Sequence, residues 1–391
     1  MVKPFQFARV PRIIFKNGSI SSLPGYIKLY GSKVALITGK SSFIHSVQAE
    51  KLMKEFVSRK IECCLVSVNA EPSPEDIDSA VKSLDKERIE VVVGIGGGSV
   101  LDAGKAISAM IQKTGSVERF LEGVGSMEHP GTKLPYIAIP TTSGTGSEAT
   151  KNAVISKIGI NGFKKSLRHD NLVPDIALVD PELTLSCPPD ITAASGMDCF
   201  TQLTEAYLSD KSNEYTDALS MQGLKTIMLS LTRCCLDGQD IEARTGMSFA
   251  ALTSGICLAN AGLGVVHGFA SSLGGMYFIP HGLVCGTLMA KSNELNVREL
   301  RKNPSNLSAL NKYSLLGQLF LDEKGKNDDY YIDGFIRYLL KLTNDLGLPG
   351  LKKYGVEEKD ISSICIRTEN KNNPVKLTNE DLEEIIRSRL T

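Results

Sequence analysis

Between residues 33 and 180 short hydrophobic runs alternate with longer amphipathic stretches. "KVALIT" (33–38) is a β-rich run ending at Gly39, an amphipathic stretch follows, and "CCLVSV" (63–68) is the next strand. "SPEDIDSAVKSLDKE" predicts a helix with Ser73 as N-cap, Pro74 in the first helical position and Asp76 three residues after the cap. "EVVVGI" (90–95) is apolar on both faces, which suits a strand buried in a parallel sheet. "YIAIP" (136–140) and "IALVD" (176–180) read as two more strands. Repeated β-α-β units predict a parallel sheet with helices on both sides.

From about residue 186 the β-branched runs give way to helical periodicity in "MDCFTQLTEAYL", "YTDALSMQGLKTIMLSL", "MSFAALTSGICLANAG", "DGFIRYLLKLTNDLG" and "NEDLEEIIRSRL". Helix follows helix with no strand signal between, which predicts a second, all-α domain. Three prolines cluster in "VDPELTLSCPPD" (179–190), so the expected domains are residues 1–183 and 184–391.

Four stretches carry candidate chemistry. "VVVGIGGGSVLDAGKAIS" (91–108) runs strand, glycine-rich turn, helix, and the start of such a helix offers free N–H groups and the positive end of its dipole. Gly96, Gly97 and Gly98 let a phosphate approach the backbone, and Ser99 adds a hydroxyl. Neither a G-x-G-x-x-G nor a P-loop template fits, because Ser99 stands where each needs glycine. A plain strand-to-helix turn is the bland alternative, but three consecutive glycines exceed what it needs. "IPTTSGTGSEAT" (139–150) crowds the hydroxyls of Thr141, Thr142 and Thr145 after another buried strand, where open α/β sheets bind ligands; a Ser/Thr-rich surface loop explains it equally well.

In "SGMDCFTQLTEAY" (195–207) Asp198 and Gln202 share one helical face, and "GLGVVHGFASSLGGMYFIPHG" (262–282) holds His267 and His281. An Asp/Gln/His/His set suits Fe(II) or Zn(II) better than Mg(II). From spacing alone, core histidines and helix-face polar residues remain an open alternative to a metal site.

Composition narrows the partners. Hydrophobic content of 42% supports a substantial core, and Lys+Arg and Asp+Glu both total 44, which gives no electrostatic argument for nucleic acid or an anionic membrane. The nine cysteines are an odd number with no C-x-x-C pair. The N-terminus has no signal-peptide core and no apolar stretch is long enough to span a bilayer, so a reduced, cytoplasmic protein is expected.

Taken together, "GIGGGSVLDAGK", "IPTTSGTGSE", "SGMDCFTQLTEAY" and "HGFASSLGGMYFIPHG" resemble, in order and spacing, the motifs of the iron-containing (group III) alcohol dehydrogenases, over nearly the whole chain. The resemblance implies a Rossmann-like α/β nucleotide-binding domain followed by an all-α domain, a dehydroquinate synthase-like architecture with the active site in the cleft between them. It implies that Gly96, Gly97, Gly98 and Ser99 cradle the NAD(P) pyrophosphate, that Thr141, Thr142 and Thr145 line the nicotinamide side, and that Lys164 approaches the nicotinamide ribose. The family's metal ligands are one Asp and three His; Asp198, His267 and His281 match three, and Gln202 stands at the fourth, a weaker donor. Ser271 replaces a further histidine of the family motif. His267, His281 and Ser271 therefore mark the catalytic centre. With both imidazoles on metal and a serine hydroxyl titrating too high for a base, the proton is expected to leave through water or the ribose hydroxyls.

The implied reaction is hydride transfer between a nicotinamide and a small alcohol or aldehyde, with Fe(II) or Zn(II) polarising the oxygen. A metal-independent reductase, a sugar-phosphate cyclase and a nucleotide-binding protein without catalysis are the alternatives. A cyclase would need several basic side chains in the cleft, and few lie near the motifs. Gly39 aligns with the position where NAD-specific relatives carry an Asp, and Lys40, Ser41 and Ser42 follow, so NADP is expected to be accepted, with a modest preference. The expected partners are the small substrate and a second copy of the chain, as a homodimer.

Overall fold

A computed structural model describes residues 2, 4–40, 42–159, 162–303 and 307–391. Its strands are β1 (Arg12–Phe15), β2 (Lys33–Gly39), β3 (Glu62–Val68), β4 (Val91–Gly96), β5 (Tyr136–Pro140), β6 (Asn152–Lys157), β7 (Phe163–Arg168) and β8 (Ile176–Val179). Six form one sheet in the order β1-β8-β5-β4-β2-β3 with every pairing parallel, while β6 and β7 form a separate antiparallel pair. Between them run α1 (Leu23–Ile27), α2 (Val47–Ser58), α3 (Pro74–Leu84) and α4 (Gly98–Met110).

Alternation along the strands explains why both faces are covered. Val34 and Leu36 join one core with Leu52 and Phe56 of α2, while Ala35 and Ile37 join another with Ile77 of α3 and Leu101 of α4. Every residue of β4, β5 and β8 is buried. The capping box of α3 forms, with Ser73 accepting from the Asp76 N–H at 3.1 Å. The chain runs outward from β2 to β3 and returns to the other side of β2 as β4. The carboxyl ends of β2 and β4 therefore flank the point where strand order reverses, the usual ligand crevice of such sheets.

After β8 the described residues contain helices and no strand: α5 (Pro189–Leu208), α6 (Glu214–Leu236), α7 (Ile241–Ala261), α8 (Val265–Met276), α9 (His281–Leu300), α10 (Leu307–Phe320), α11 (Asp328–Asp345), α12 (Ile361–Ile366) and α13 (Asn379–Arg387). No single helix among them is long and apolar enough to cross a membrane. α5 is the axis of this half, packed by α6, α7 and α9 and buried without interruption from Gly196 to Leu208. A helix enclosed on all sides is expected to be apolar throughout. α5 instead carries Asp198, Gln202 and Glu205, and buried polar groups are costly without partners.

The sequence pattern passed over two parts of the α/β half. β1 is a short edge strand behind Pro11, with its first two residues exposed. The β6–β7 pair is only partly buried and carries lysines at several positions, so it lacks the apolar signature of the central strands.

Candidate metal centre and cofactor crevice

Close helix packing brings the polar groups of α5, α8 and α9 together. A Cβ on Gly282 would come within 2.3 Å of the Ala194 carbonyl oxygen, and one on Gly286 within 2.8 Å of the Met197 Cβ. These two glycines, one turn apart, let the start of α9 press against α5 and set His281 and Cys285 beside Asp198.

The donor atoms of Asp198, His267, His281 and Cys285 all lie within 4.8 Å of one another. Asp198 Oδ1 is 3.3 Å from His267 Nε2 and 3.7 Å from His281 Nε2, and the Cys285 Sγ is 3.6 Å and 3.9 Å from the same two nitrogens. The other ring nitrogen of His267, Nδ1, sits 2.6 Å from Glu205 Oε2, while Glu205 Oε1 accepts the Val266 N–H at 2.7 Å. Both carboxylate oxygens are thus occupied, and the imidazole is held with Nε2 facing the cluster, the arrangement that orients metal-ligating histidines. His281 Nδ1 is buried with no hydrogen-bond partner among the described residues.

Electrostatics favours a ligating state for two of the four groups. Burial alone would raise the Asp198 carboxyl, but His281 and His267 hold it down at about 2, so it is a carboxylate at neutral pH. Burial, with Lys164 adding to it, pushes His281 down to about 4, which leaves a neutral imidazole. For His267 burial acts downward and is outweighed by Cys285 and Glu205, which raise it. Burial pushes the Cys285 thiol up to about 12. One carboxylate, two imidazoles and one thiol are a donor set that would suit Zn(II) or Fe(II), the thiol giving up its proton if it were to ligate.

Gln202 lies one turn beyond Asp198, fully within α5, and its Oε1 accepts a 2.8 Å hydrogen bond from Ser254 on α7. The Ser254 hydroxyl also lies 3.5 Å from the Gly144 carbonyl oxygen, linking Gln202 to the threonine-rich loop after β5. The sequence motifs name Gln202 as the fourth donor and do not name Cys285 or Glu205, which the fold brings to the same cluster. The signal was present in both cases: Cys285 follows His281 by one helical turn, and Glu205 follows Asp198 by two.

The cofactor candidates converge at the reversal point of the sheet. α4 starts at Gly98 with Gly97 as N-cap and no side chain capping it, so its first-turn N–H groups stay available. The Thr141 N–H donates to the Gly96 carbonyl at 3.0 Å. A Cβ on Gly98 would meet the Thr145 side chain at 2.6 Å, and one on Gly97 the Thr142 hydroxyl at 3.4 Å. Gly96–Gly98, Ser99, Thr141, Thr142 and Thr145 therefore form one patch. Beneath it the fully buried Lys105 donates to the Ser147 carbonyl at 2.9 Å and to Thr150 Oγ1 at 3.2 Å, a strut for the loop. Gly39 ends β2 half-buried with, among the described residues, only Val100 Cγ2, at 4.0 Å, near the place of a Cβ; Lys40 and Ser42 are exposed, and Ser41 lies outside the described residues.

Lys164 pairs with Glu71, whose other oxygen accepts from Ser156 at 2.8 Å. It lines a cavity of about 1110 Å³ bounded by β7, α7, α8 and residues 366–372, which also takes in Ser271. The Ser271 hydroxyl donates to the His267 carbonyl at 2.9 Å and accepts from Lys371 at 3.3 Å, so it faces the cavity from the helix that carries His267. Seven lysine or arginine side chains and two glutamates line this cavity, where the sequence led us to expect few basic groups.

Two family models cover the chain: that of iron-containing alcohol dehydrogenase over residues 11–181, and that of the Fe-containing alcohol dehydrogenase family C-terminal region over residues 192–390. The chain is 30% identical to an NAD-dependent methanol dehydrogenase of Bacillus methanolicus, over 97% of this chain and 98% of the relative. It is 31% identical to alcohol dehydrogenase 4 of Saccharomyces cerevisiae (strain ATCC 204508 / S288c), over 96% of each. The crystal structure of a 1,3-propanediol oxidoreductase superposes with a TM-score of 0.89 at 27% identity, covering 99% of this chain and 100% of that one.

Proposed function

The chain belongs to the iron-containing alcohol dehydrogenase family, and from that premise we propose that it is a metal-dependent, NAD(P)-linked alcohol dehydrogenase and aldehyde reductase whose ion is held by Asp198, His267, His281 and Cys285. The observation that carries this reading is the convergence of those four donors, with His267 oriented by Glu205. Gln202 stays in its bond to Ser254 and acts as a weak or water-mediated neighbour. Fe(II) is the family's ion, and the thiol makes Zn(II) an equal fit.

When bound, the ion supplies Lewis-acid polarisation of the substrate oxygen and the nicotinamide supplies the hydride acceptor or donor. The protein's own share is positional. The turn at Gly96–Gly98 with Ser99 offers N–H and hydroxyl groups to the pyrophosphate, and Thr141, Thr142 and Thr145 border the adjoining crevice. Lys164, anchored by Glu71, lines the cavity and acts electrostatically on His281, helping to keep that imidazole neutral. Ser271 fixes the Lys371 ammonium against the helix that carries His267. The open position at Gly39, with exposed Lys40 and Ser42, favours acceptance of NADP alongside NAD.

The division into domains at 183/184 is part of the proposal, supported by the confinement of every described strand to residues before Pro181. So is a homodimer, for which the outer side of edge strand β1, with Ile13 38% exposed, is a suitable surface. Metal analysis of anaerobically prepared protein tests the centre: wild type retains bound iron or zinc near one equivalent and His267→Ala retains none. Metal-free wild type after anaerobic supply of both ions would overturn it.

A further inference from the structure

The chain as a whole is electrically balanced, yet the cavity lined by Lys164 and Ser271 is strongly basic. Part of that charge is neutralised locally: Lys164 pairs with Glu71, Lys151 with Asp170, and Arg168 with Glu122 at 3.0 Å. Lys165, Lys211 and Lys371 make no ion pair among the described residues. They come from β7, from the α5–α6 connection and from the segment after α12, and only the folded chain brings them to one cavity.

Lys371 is linked through Ser271 to the helix that carries His267. Its ammonium lies 3.3 Å from the Ser271 hydroxyl, which is bonded in turn to the His267 carbonyl. Its backbone has φ 49°, a left-handed conformation uncommon for a residue with a Cβ. The conformation is held by the bond from the Asn372 N–H to the Leu263 carbonyl at 3.0 Å and by that from the Asp210 N–H to the Asn372 carbonyl at 3.2 Å. The fold thus places a cation at the cavity wall at a conformational cost, on the side of α8 that also presents Gly268.

We infer that this cavity is an anion subsite for the substrate, with Lys371 and Lys165 as its principal ligands and Lys211 at its rim, so that the preferred substrate is a small aldehyde or alcohol bearing a carboxylate or phosphate group. The inference rests on the dehydrogenase reading above and names the substrate class for that site. Cofactor phosphates do not account for the charge, because Gly96–Gly98, Thr141–Thr145 and Gly39 are not among the residues that line the cavity. Unpaired ammonium groups in a recess are what an anionic head group requires, through charge-assisted hydrogen bonds stronger than neutral ones. Neutral alcohols of similar length would leave these cations without a partner and gain nothing from them.

The test uses metal-loaded enzyme with NADH and with NADPH and three probes: 4-oxobutanoate, glyceraldehyde 3-phosphate and butanal. One of the two anions is reduced with kcat/KM about tenfold or more above that of butanal, and which one it is distinguishes carboxylate from phosphate. In Lys371→Met the ratio of anion to butanal falls by about tenfold, chiefly through KM, and Lys165→Met lowers it in the same sense. Butanal reduced as well as both anions, or all three probes weakened alike by Lys371→Met, overturns the subsite while leaving the dehydrogenase reading intact. If no aldehyde is reduced, the dehydrogenase reading fails, and calorimetric titration with succinate and glycerol 3-phosphate decides the subsite separately. Binding to wild type that is lost in Lys371→Met upholds it, and no binding to wild type overturns it.

Discussion

Glu205 Oε2 lies 2.6 Å from His267 Nδ1, with both side chains buried, so the ring nitrogen facing Asp198 and Cys285 is fixed from behind. The contact joins two helices, and its second oxygen ties down the first turn of α8 through the Val266 N–H. Glu205→Gln keeps the shape and one acceptor but removes the charge that orients the imidazole. Metal affinity, read by competition with a chelator, should fall by about 10- to 100-fold, with circular dichroism unchanged. Affinity within about twofold of wild type would mean that Glu205 serves packing alone.

Cys285 differs from the donors inferred from sequence, and a thiolate leaves a spectroscopic mark. Replacement of the native ion by Co(II) should give near-ultraviolet sulfur-to-metal charge-transfer absorption in wild type and none in Cys285→Ala. The variant should also lose affinity for Zn(II) more than for Mn(II), because thiolate favours the softer ion. Identical Co(II) spectra would place Cys285 outside the coordination sphere.

What was legible in the sequence and what was not have a common physical origin. β4 and β5 are buried on both faces, so their near-continuous apolar runs stand out; β1 and the β6–β7 pair are half-exposed and blend with loops. Asp198, His267 and His281 were visible because each sits in a motif, and the glycine turn because it joins a strand to a helix. Cys285 was passed over because an apolar helix normally buries cysteine as a small hydrophobe. Lys371 and Lys165 carry no local pattern at all; their relation exists only after the chain from β7 and the chain after α12 meet across the cavity.

Cofactor choice is tested at Gly39. Among the described residues a Cβ there meets only Val100 Cγ2 at 4.0 Å, and no positive φ restricts the residue, so Gly39→Asp introduces a carboxylate without backbone strain. Wild type should use NADP at least as well as NAD by kcat/KM, and Gly39→Asp should lose about tenfold with NADP, about 1.4 kcal/mol, while keeping NAD. A wild-type preference for NAD of about tenfold or more, or a variant that uses NADP undiminished, contradicts this.

Glu148 gives a stability signature in pH. It is buried within the threonine-rich stretch after β5, and burial pushes its carboxyl up to about 7 from an ordinary 4.5, with a backbone hydrogen bond and Lys105 opposing only in part. A raised folded-state value means that the folded protein binds more protons than the unfolded chain between those two pH values. Its contribution is complete below about 4.5 and is lost as pH rises through about 7. The loss is on the order of 3 kcal/mol. Glu148→Gln removes this titration, so denaturant unfolding should show the variant gaining on wild type across that window. Parallel pH profiles of the two proteins would contradict the assignment.

The central claim is that a bound ion at Asp198, His267, His281 and Cys285 is required for nicotinamide-linked oxidation and reduction. The most direct measurement follows nicotinamide absorbance with a panel of short alcohols and aldehydes, neutral and anionic, for anaerobically prepared enzyme. The same enzyme is then assayed after removal of metal and after return of Fe(II) or Zn(II). The account predicts turnover that disappears with the metal and returns with it, and that stays absent in His267→Ala. Turnover that persists after complete metal removal, or no turnover of any probe with either cofactor, would contradict it.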